Sequence, residues 1–335
     1  MRAILSLRMS VGPSEPIMTA KLSQPARICP ACAAADSIRV GDRLWPTGWG
    51  CPSCGHGLVV RAGVSCLAPE LDGEDVGFDP AAFQMLAKVE SRHFWFQTRN
   101  ELIAWLVLRY APGATRILEV GCGTGFVLHT LRAACPSASV AGSELHSAGL
   151  FRARDRHGEA VELIQADARR PCLRHALDLV CALDVLEHID EDESVLSGIR
   201  EALRHDGVLI AAVPQHPWLW SESDDLGHHI RRYRVGEIEK KVRAAGFNLR
   251  FADSFVSLLL PAMAISRLIG RLGLGRTRRN DPVDAPNDPV ARELRVGPSF
   301  NFAMRAVLRM EHLLRRAGLR SPIGGSRVIV AQKRA

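Results

Sequence analysis

The run Glu119-Val120-Gly121-Cys122-Gly123-Thr124-Gly125 constrains this chain more than any other segment. A short apolar stretch, residues 116–120, leads into it, and a helically spaced apolar stretch, residues 126–134, follows. Three glycines in five positions let the backbone turn sharply and approach a ligand closely. A strand that turns through glycine into a helix is the opening of a βαβ unit, whose helix N-terminus can receive an anionic group. Downstream the alternation continues. Apolar strand patterns fall at 138–143, 161–165, 177–183 and 207–213, with helical patterns at 146–157, 191–204 and 235–245. This order predicts an α/β fold with a parallel sheet covered by helices on both faces. Further strands are expected at 247–255 and 327–331, with an amphipathic helix at 300–316 between them.

A glycine triplet alone is weak evidence, but its spacing is informative. The dinucleotide pattern GxGxxG would need glycine at position 126, which is Phe126. The pattern present is ExGxGxG, and it resembles the first motif of class I S-adenosylmethionine-dependent methyltransferases. Three further positions agree in order and spacing: Glu144 after the second strand, Asp167-Ala168 after the third, and Asp184-Val185-Leu186-Glu187-His188 after the fourth. The resemblance implies a Rossmann-like, doubly wound, mostly parallel seven-stranded sheet. It also implies a donor site made of Glu119, Gly121, Cys122, Gly123, Gly125, Glu144, Asp167, Ala168 and Asp184. Glu144 would hold the ribose hydroxyls, since an ionised carboxylate is an acceptor only, and Asp167 the adenine amino group.

Methyl transfer from a sulfonium depends mainly on holding the nucleophile in line. A base is needed only if the acceptor loses a proton early. Candidates for that work are His188, His216, His228 and Tyr233, the last two in Gly227-His228-His229-Ile230-Arg231-Arg232-Tyr233. Arg231 and Arg232 could bind an anionic group there.

Nine cysteines in a chain of 335 residues are unevenly spread. Cys29-Pro30-Ala31-Cys32 and Cys51-Pro52-Ser53-Cys54 stand eighteen residues apart. Two such knuckles can close a tetrahedral Cys₄ zinc site with no open position, hence a structural one. Trp45 and Trp49 lie between them and offer either a contact surface or the packing of a small core. The odd cysteine count favours a reducing, cytoplasmic compartment.

The expected organisation is a disordered leader at 1–24, a zinc ribbon at 25–60, a linker at 61–80, the methyltransferase core at 81–255, an apolar and helical insertion at 256–320, and the last core strand and tail at 321–335. Residues 81–110 read as two helices broken near Phe96. The aromatic run His93-Phe94-Trp95-Phe96 serves either as a lid or as a staple, and Arg99 is a candidate partner for the donor's carboxylate. The apolar segment 257–272 is too short to span a bilayer. With Arg267, Arg271, Arg276, Arg278 and Arg279 it could lie on a membrane surface, cover the acceptor site or form a homodimer contact. A net charge of +7 fits anionic partners as well as a basic solvated surface. Three functions compete: a methyltransferase for a small-molecule or lipid-linked acceptor, a nucleic-acid methyltransferase guided by the ribbon, and a non-catalytic scaffold that binds the donor.

Overall fold

A computed structural model describes residues 24–73, 78–80, 82–271 and 296–334. Most of the expected leader and the polar loop with its Asn280-Asp281-Pro282-Val283 and Asn287-Asp288-Pro289-Val290 runs lie outside these residues. The N-terminal part contains β1 (Ala26–Ile28), β2 (Ala35–Ser37), β3 (Val59–Arg61) and β4 (Val64–Cys66). Helices α1 (Ala82–Val89) and α2 (Phe94–Tyr110) follow. The alternating part runs β5 (Arg116–Val120), α3 (Phe126–Ala134), β6 (Ser139–Glu144), α4 (Ser147–His157), β7 (Glu162–Gln165), β8 (Leu173–Arg174) and β9 (Leu177–Leu183). It continues through α5 (Asp192–Ala202), β10 (Leu203–Pro214), α6 (Glu222–Leu226) and α7 (Glu237–Ala244). The chain ends with β11 (Phe247–Phe255), α8 (Leu260–Arg271), α9 (Pro298–Arg316) and β12 (Ser326–Lys333).

The main sheet has the order β11-β12-β10-β9-β5-β6-β7-β4-β3. Strands β10, β9, β5, β6 and β7 are mutually parallel, while β12 runs antiparallel between β10 and β11. This is the Rossmann-like, mostly parallel sheet that the alternation predicts. Its centre explains itself: all seven residues of β9 are buried, as a strand covered on both faces requires. Alternate β9 residues feed two cores. Leu179, Cys181 and Leu183 join α2, α3, α4 and α9 on one face. Val180 and Ala182 join α5 and α7 on the other, together with Trp45 and Trp49.

The seven expected strands are β11, β12, β10, β9, β5, β6 and β7, and two more extend them: β4 pairs parallel with β7 and β3 antiparallel with β4. Val64, Ser65 and Cys66 were read as linker, yet all three are buried, and a three-residue apolar strand leaves too little periodicity to recognise. The helix break lies at residues 90–93 rather than near Phe96. His93 caps α2, its Nδ1 accepting the Trp95 N–H at 3.3 Å, so the aromatic run opens a helix instead of interrupting one.

Candidate active site

The strand order reverses between β5 and β9: the chain moves outward through β6 and β7, then returns to lay β9 on the other side of β5. In doubly wound sheets, ligands bind in the crevice at the carboxyl ends of the strands at such a switch point. The glycine loop stands there. Gly121, Gly123 and Gly125 have φ of 66°, 50° and 74°, a region that side chains disfavour. A Cβ at Gly121 would lie 2.4 Å from the Val185 side chain, and one at Gly125 would lie 2.9 Å from Ala153. The loop is thus pressed against the neighbouring strand end and against α4.

The acidic residues stand at the carboxyl ends of β5, β6, β7 and β9. Glu119 is buried and its Oε2 has no hydrogen-bond partner. Burial pushes its carboxyl well above the usual range. Glu144 accepts hydrogen bonds from Gly123 N at 3.0 Å and Leu145 N at 2.8 Å, so it ties β6 to the loop. Burial raises its pKa, with the backbone N–H groups of His146 and Gly123 opposing the shift. Asp167, next to Ala168, is held by Arg169 Nε at 2.9 Å. Asp184 takes the left-handed backbone conformation, φ 56°, at the end of β9. Cys122 is buried, its sulfur directed toward Gly142.

Helix α1 closes over the loop. The Phe83 ring lies 3.3 Å from where a Gly123 Cβ would sit. Glu90, just past α1, accepts from the Thr124 hydroxyl at 2.7 Å and pairs with Arg156. Nothing in the local sequence of α1 signals this cover, since Phe83 and Glu90 acquire it only through the packing of α1 on the loop and α4. Arg99, expected to meet the donor's carboxylate, pairs with Asp184 and stacks over Trp95 at 4.6 Å.

The residues expected to meet an acceptor divide into two groups. His188, His228 and His229 come together past β9, while His216 follows β10 and stacks near Trp218. Ile230 N donates to the Glu187 carbonyl at 2.9 Å, which pulls the 227–233 segment onto the strand end. The His188 and His229 rings meet edge to face at 4.8 Å. Burial, then the neighbouring His229, lowers the His188 pKa to about 4, so this ring is neutral at ordinary pH. His216 and His228 have φ of 66° and 53°, backbone strain of a kind that clusters at functional sites.

Tyr233 stands apart. It is fully buried, and its hydroxyl donates to Asp192 at 2.7 Å. Burial and the Asp192 carboxylate push its pKa up, and the hydroxyl is turned away from solvent. Arg231 pairs with Asp190 and Asp192, and Arg232 with Asp224 at 2.6 Å. The anionic partners of these arginines are the chain's own acids.

The cysteine knuckles converge. Cys29 and Cys54 sulfurs lie 3.8 Å apart, and Cys32 and Cys51 sulfurs 3.7 Å. A tetrahedron of sulfurs about 2.3 Å from a central Zn²⁺ has edges of roughly 3.8 Å, so the four thiols fit that ion. Trp45 and Trp49 pack edge to face at 5.0 Å in the buried core, which removes them as a contact surface. The ribbon is fused to the sheet domain. Its β1 pairs with β8, and Glu162 of β7 accepts from Leu44 N at 2.7 Å.

Residues 118–209 match the family model of a methyltransferase domain. Among curated relatives, the ubiquinone biosynthesis O-methyltransferase of Aromatoleum aromaticum is 27% identical over 144 residues, covering 38% of this chain and 60% of that protein. The trans-aconitate 2-methyltransferase of Paracidovorax citrulli is 33% identical over 119 residues, covering 35% and 44%. The chain therefore spans less than two thirds of the length of these relatives. A solved structure of phosphoethanolamine N-methyltransferase 2 from Haemonchus contortus, in complex with S-adenosyl-L-methionine, aligns with TM-score 0.44 and 15% identity over 71% of this chain and 52% of that one. The family match shows a methyltransferase domain over residues 118–209, and the glycine loop and the acids at successive strand ends give the chain its resemblance to class I, S-adenosylmethionine-dependent methyltransferases.

Proposed function

We propose that this protein transfers a methyl group from S-adenosylmethionine to a small-molecule or lipid-linked acceptor by direct in-line displacement. The observation that carries the reading is the set Glu119, Glu144, Asp167 and Asp184 at the carboxyl ends of β5, β6, β7 and β9, beside a glycine loop at the sheet's switch point. The pocket chemistry fits the donor. Gly121 and Gly125 keep the loop in a left-handed, side-chain-free path at the switch point, and Glu119 carries an unsatisfied buried oxygen. Glu144 and Asp167 would take the ribose hydroxyls and adenine amino group. S-adenosylmethionine supplies an electrophilic methyl on a sulfonium. This chain's residues would bind and orient it, while Phe83 and the closely packed α1 exclude water. His188, neutral and beside the strand end, and His228 would meet the acceptor.

The acceptor class rests on two supports. The relatives' names denote small or carrier-linked acceptors. Helices α8 and α9 also expose large apolar side chains, among them Ile265, Leu268 and Phe302, at 59, 58 and 77%. No helix among the described residues is long and apolar enough to cross a membrane, so these faces would lie on a lipid surface or meet a second copy. We also assign a structural Zn²⁺ to the four ribbon cysteines. The other five cysteines, none in a disulfide, favour the reducing environment of the cytoplasm.

One experiment tests donor and acceptor class together. Calorimetry with S-adenosylmethionine should give saturable binding that Gly121→Val abolishes. Incubation with methyl-labelled donor and separated lipid and aqueous cell extracts should place label in one fraction. No binding by the wild type sinks the reading, and label confined to added RNA moves it to nucleic acid.

A further inference from the structure

The turn after β9 and the loop before Tyr233 meet in a constellation that donor binding does not use. Glu187 is 0% exposed, and neither of its carboxylate oxygens has a hydrogen-bond partner. A buried carboxylate left bare is costly, so such a group ordinarily meets a cation or a donor. The adjacent His188 also has a bare Nδ1, while hydrogen bonding to the backbone at His228 and Gly227 engages its ring. His229 has its Nδ1 2.8 Å from Asp224, which leaves Nε2 as the free nitrogen. One ligand atom from each of Glu187, His188 and His229 can be chosen so that all lie within 4.8 Å of one another.

We propose that Glu187, His188 and His229 form a divalent-cation site at the acceptor end of the methyltransferase domain, and that the cation chelates an acceptor bearing two adjacent oxygens, such as a catechol or vicinal diol. The cation site stands on the geometry alone, whereas the acceptor half rests on the proposed methyl transfer. Two imidazoles and one carboxylate suit Zn²⁺ and its transition-metal neighbours better than Mg²⁺ or Ca²⁺, which prefer all-oxygen shells. Three protein ligands leave open positions, as catalytic sites do and structural Cys₄ sites do not. The surroundings match a metal-binding histidine: Asp224 on the far nitrogen of His229 is the carboxylate–histidine arrangement that orients such ligands, and Arg232 fixes Asp224 in turn at 2.6 Å. Arg232 and Arg99 are the cationic groups near Glu187, and Asp184, paired with Arg99, offsets the latter.

The chemistry follows from the open positions. A hydroxyl bound to the cation loses its proton to water near neutral pH. Its oxygen lone pair then forms the O–CH₃ bond as the S–CH₃ bond breaks. The bonding pair stays on sulfur, and S-adenosylhomocysteine leaves uncharged.

The test uses the full chain with its ribbon already loaded with Zn²⁺. Titration with Co²⁺, followed by calorimetry and visible absorption, should show a further equivalent without the sulfur-to-cobalt charge-transfer band of thiolate sites. Glu187→Gln and His229→Asn should each weaken that binding by more than about tenfold at an unchanged melting temperature. Uptake no greater than the ribbon's, or equal uptake by both folded variants, overturns the site. Adding a catechol should shift the Co²⁺ spectrum where the corresponding monophenol does not, and equal responses to the two remove the chelation. Calorimetry with S-adenosylmethionine on the same samples separates the two readings. Donor binding without the further Co²⁺ rejects the cation site alone, and Co²⁺ uptake without donor binding rejects the methyltransferase alone.

Discussion

At the scale of single residues, Tyr233 and Asp184 show opposite relations between sequence and place. In an Arg-Arg-Tyr run next to two histidines, Tyr233 has the neighbours of a reactive surface residue. The fold turns its ring inward and spends its hydroxyl on Asp192, which also meets Lys241 at 2.7 Å. Tyr233→Phe should therefore cost about 1–3 kcal/mol of stability, the price of a hydrogen bond to a buried charged group. A denaturant titration would measure it, with S-adenosylmethionine affinity unchanged. Loss of turnover at full stability would return Tyr233 to the chemistry. Asp184 was legible because its order after Glu144 and Asp167 is itself a pattern. Its pairing with Arg99 was not, since 85 residues separate the two in the chain.

Among the elements, α9 is the most exposed to a single substitution. Its amphipathic spacing was readable, but which polar residues it buries was not. Arg315 is nearly fully buried, pairs with Asp253 of β11, and donates to Glu311 at 2.9 Å. Glu311 in turn accepts from Ser257 N at 2.6 Å, so one network fastens α9 to β11 and to the start of α8. Breaking a buried ion pair leaves its partner uncompensated. Arg315→Ala should destabilise the protein by about 3–5 kcal/mol. Amide hydrogen exchange should show the loss first in α9 and at the β11–β12 edge. Uniform protection across the variant would mean that the network carries little energy. Periodicity cannot reveal such a network, because arginine and glutamate at helical spacing look the same on a solvated face.

Across the whole molecule, the ribbon behaves as part of the sheet domain rather than as an appendage. β1 pairs with β8, Ile28 N donates to the Cys172 carbonyl at 2.8 Å, and Glu162 receives two backbone N–H groups from the ribbon. Removing the metal should therefore be felt far from the cysteines. Cys51→Ser, or a strong chelator, should lower the main melting transition, by about 2–4 °C for each kcal/mol lost in a domain of this size. Differential scanning calorimetry would show one shifted transition. A separate low-temperature transition with the main one unmoved would make the ribbon an independent unit.

The sequence by itself determined the α/β alternation, the left-handed glycine turns at 121, 123 and 125, and the pairing of the two cysteine knuckles. Each of these is local: it depends on residue type at fixed short spacing, where sterics and ligand geometry leave few alternatives. Only the tertiary structure decided that β3 and β4 extend the sheet, that α1 covers the glycine loop, that Tyr233 and the two arginines turn inward, and that Glu187, His188 and His229 face one another. Those outcomes depend on contacts between elements far apart in the chain, where burial and charge pairing outweigh any preference the residues carry alone.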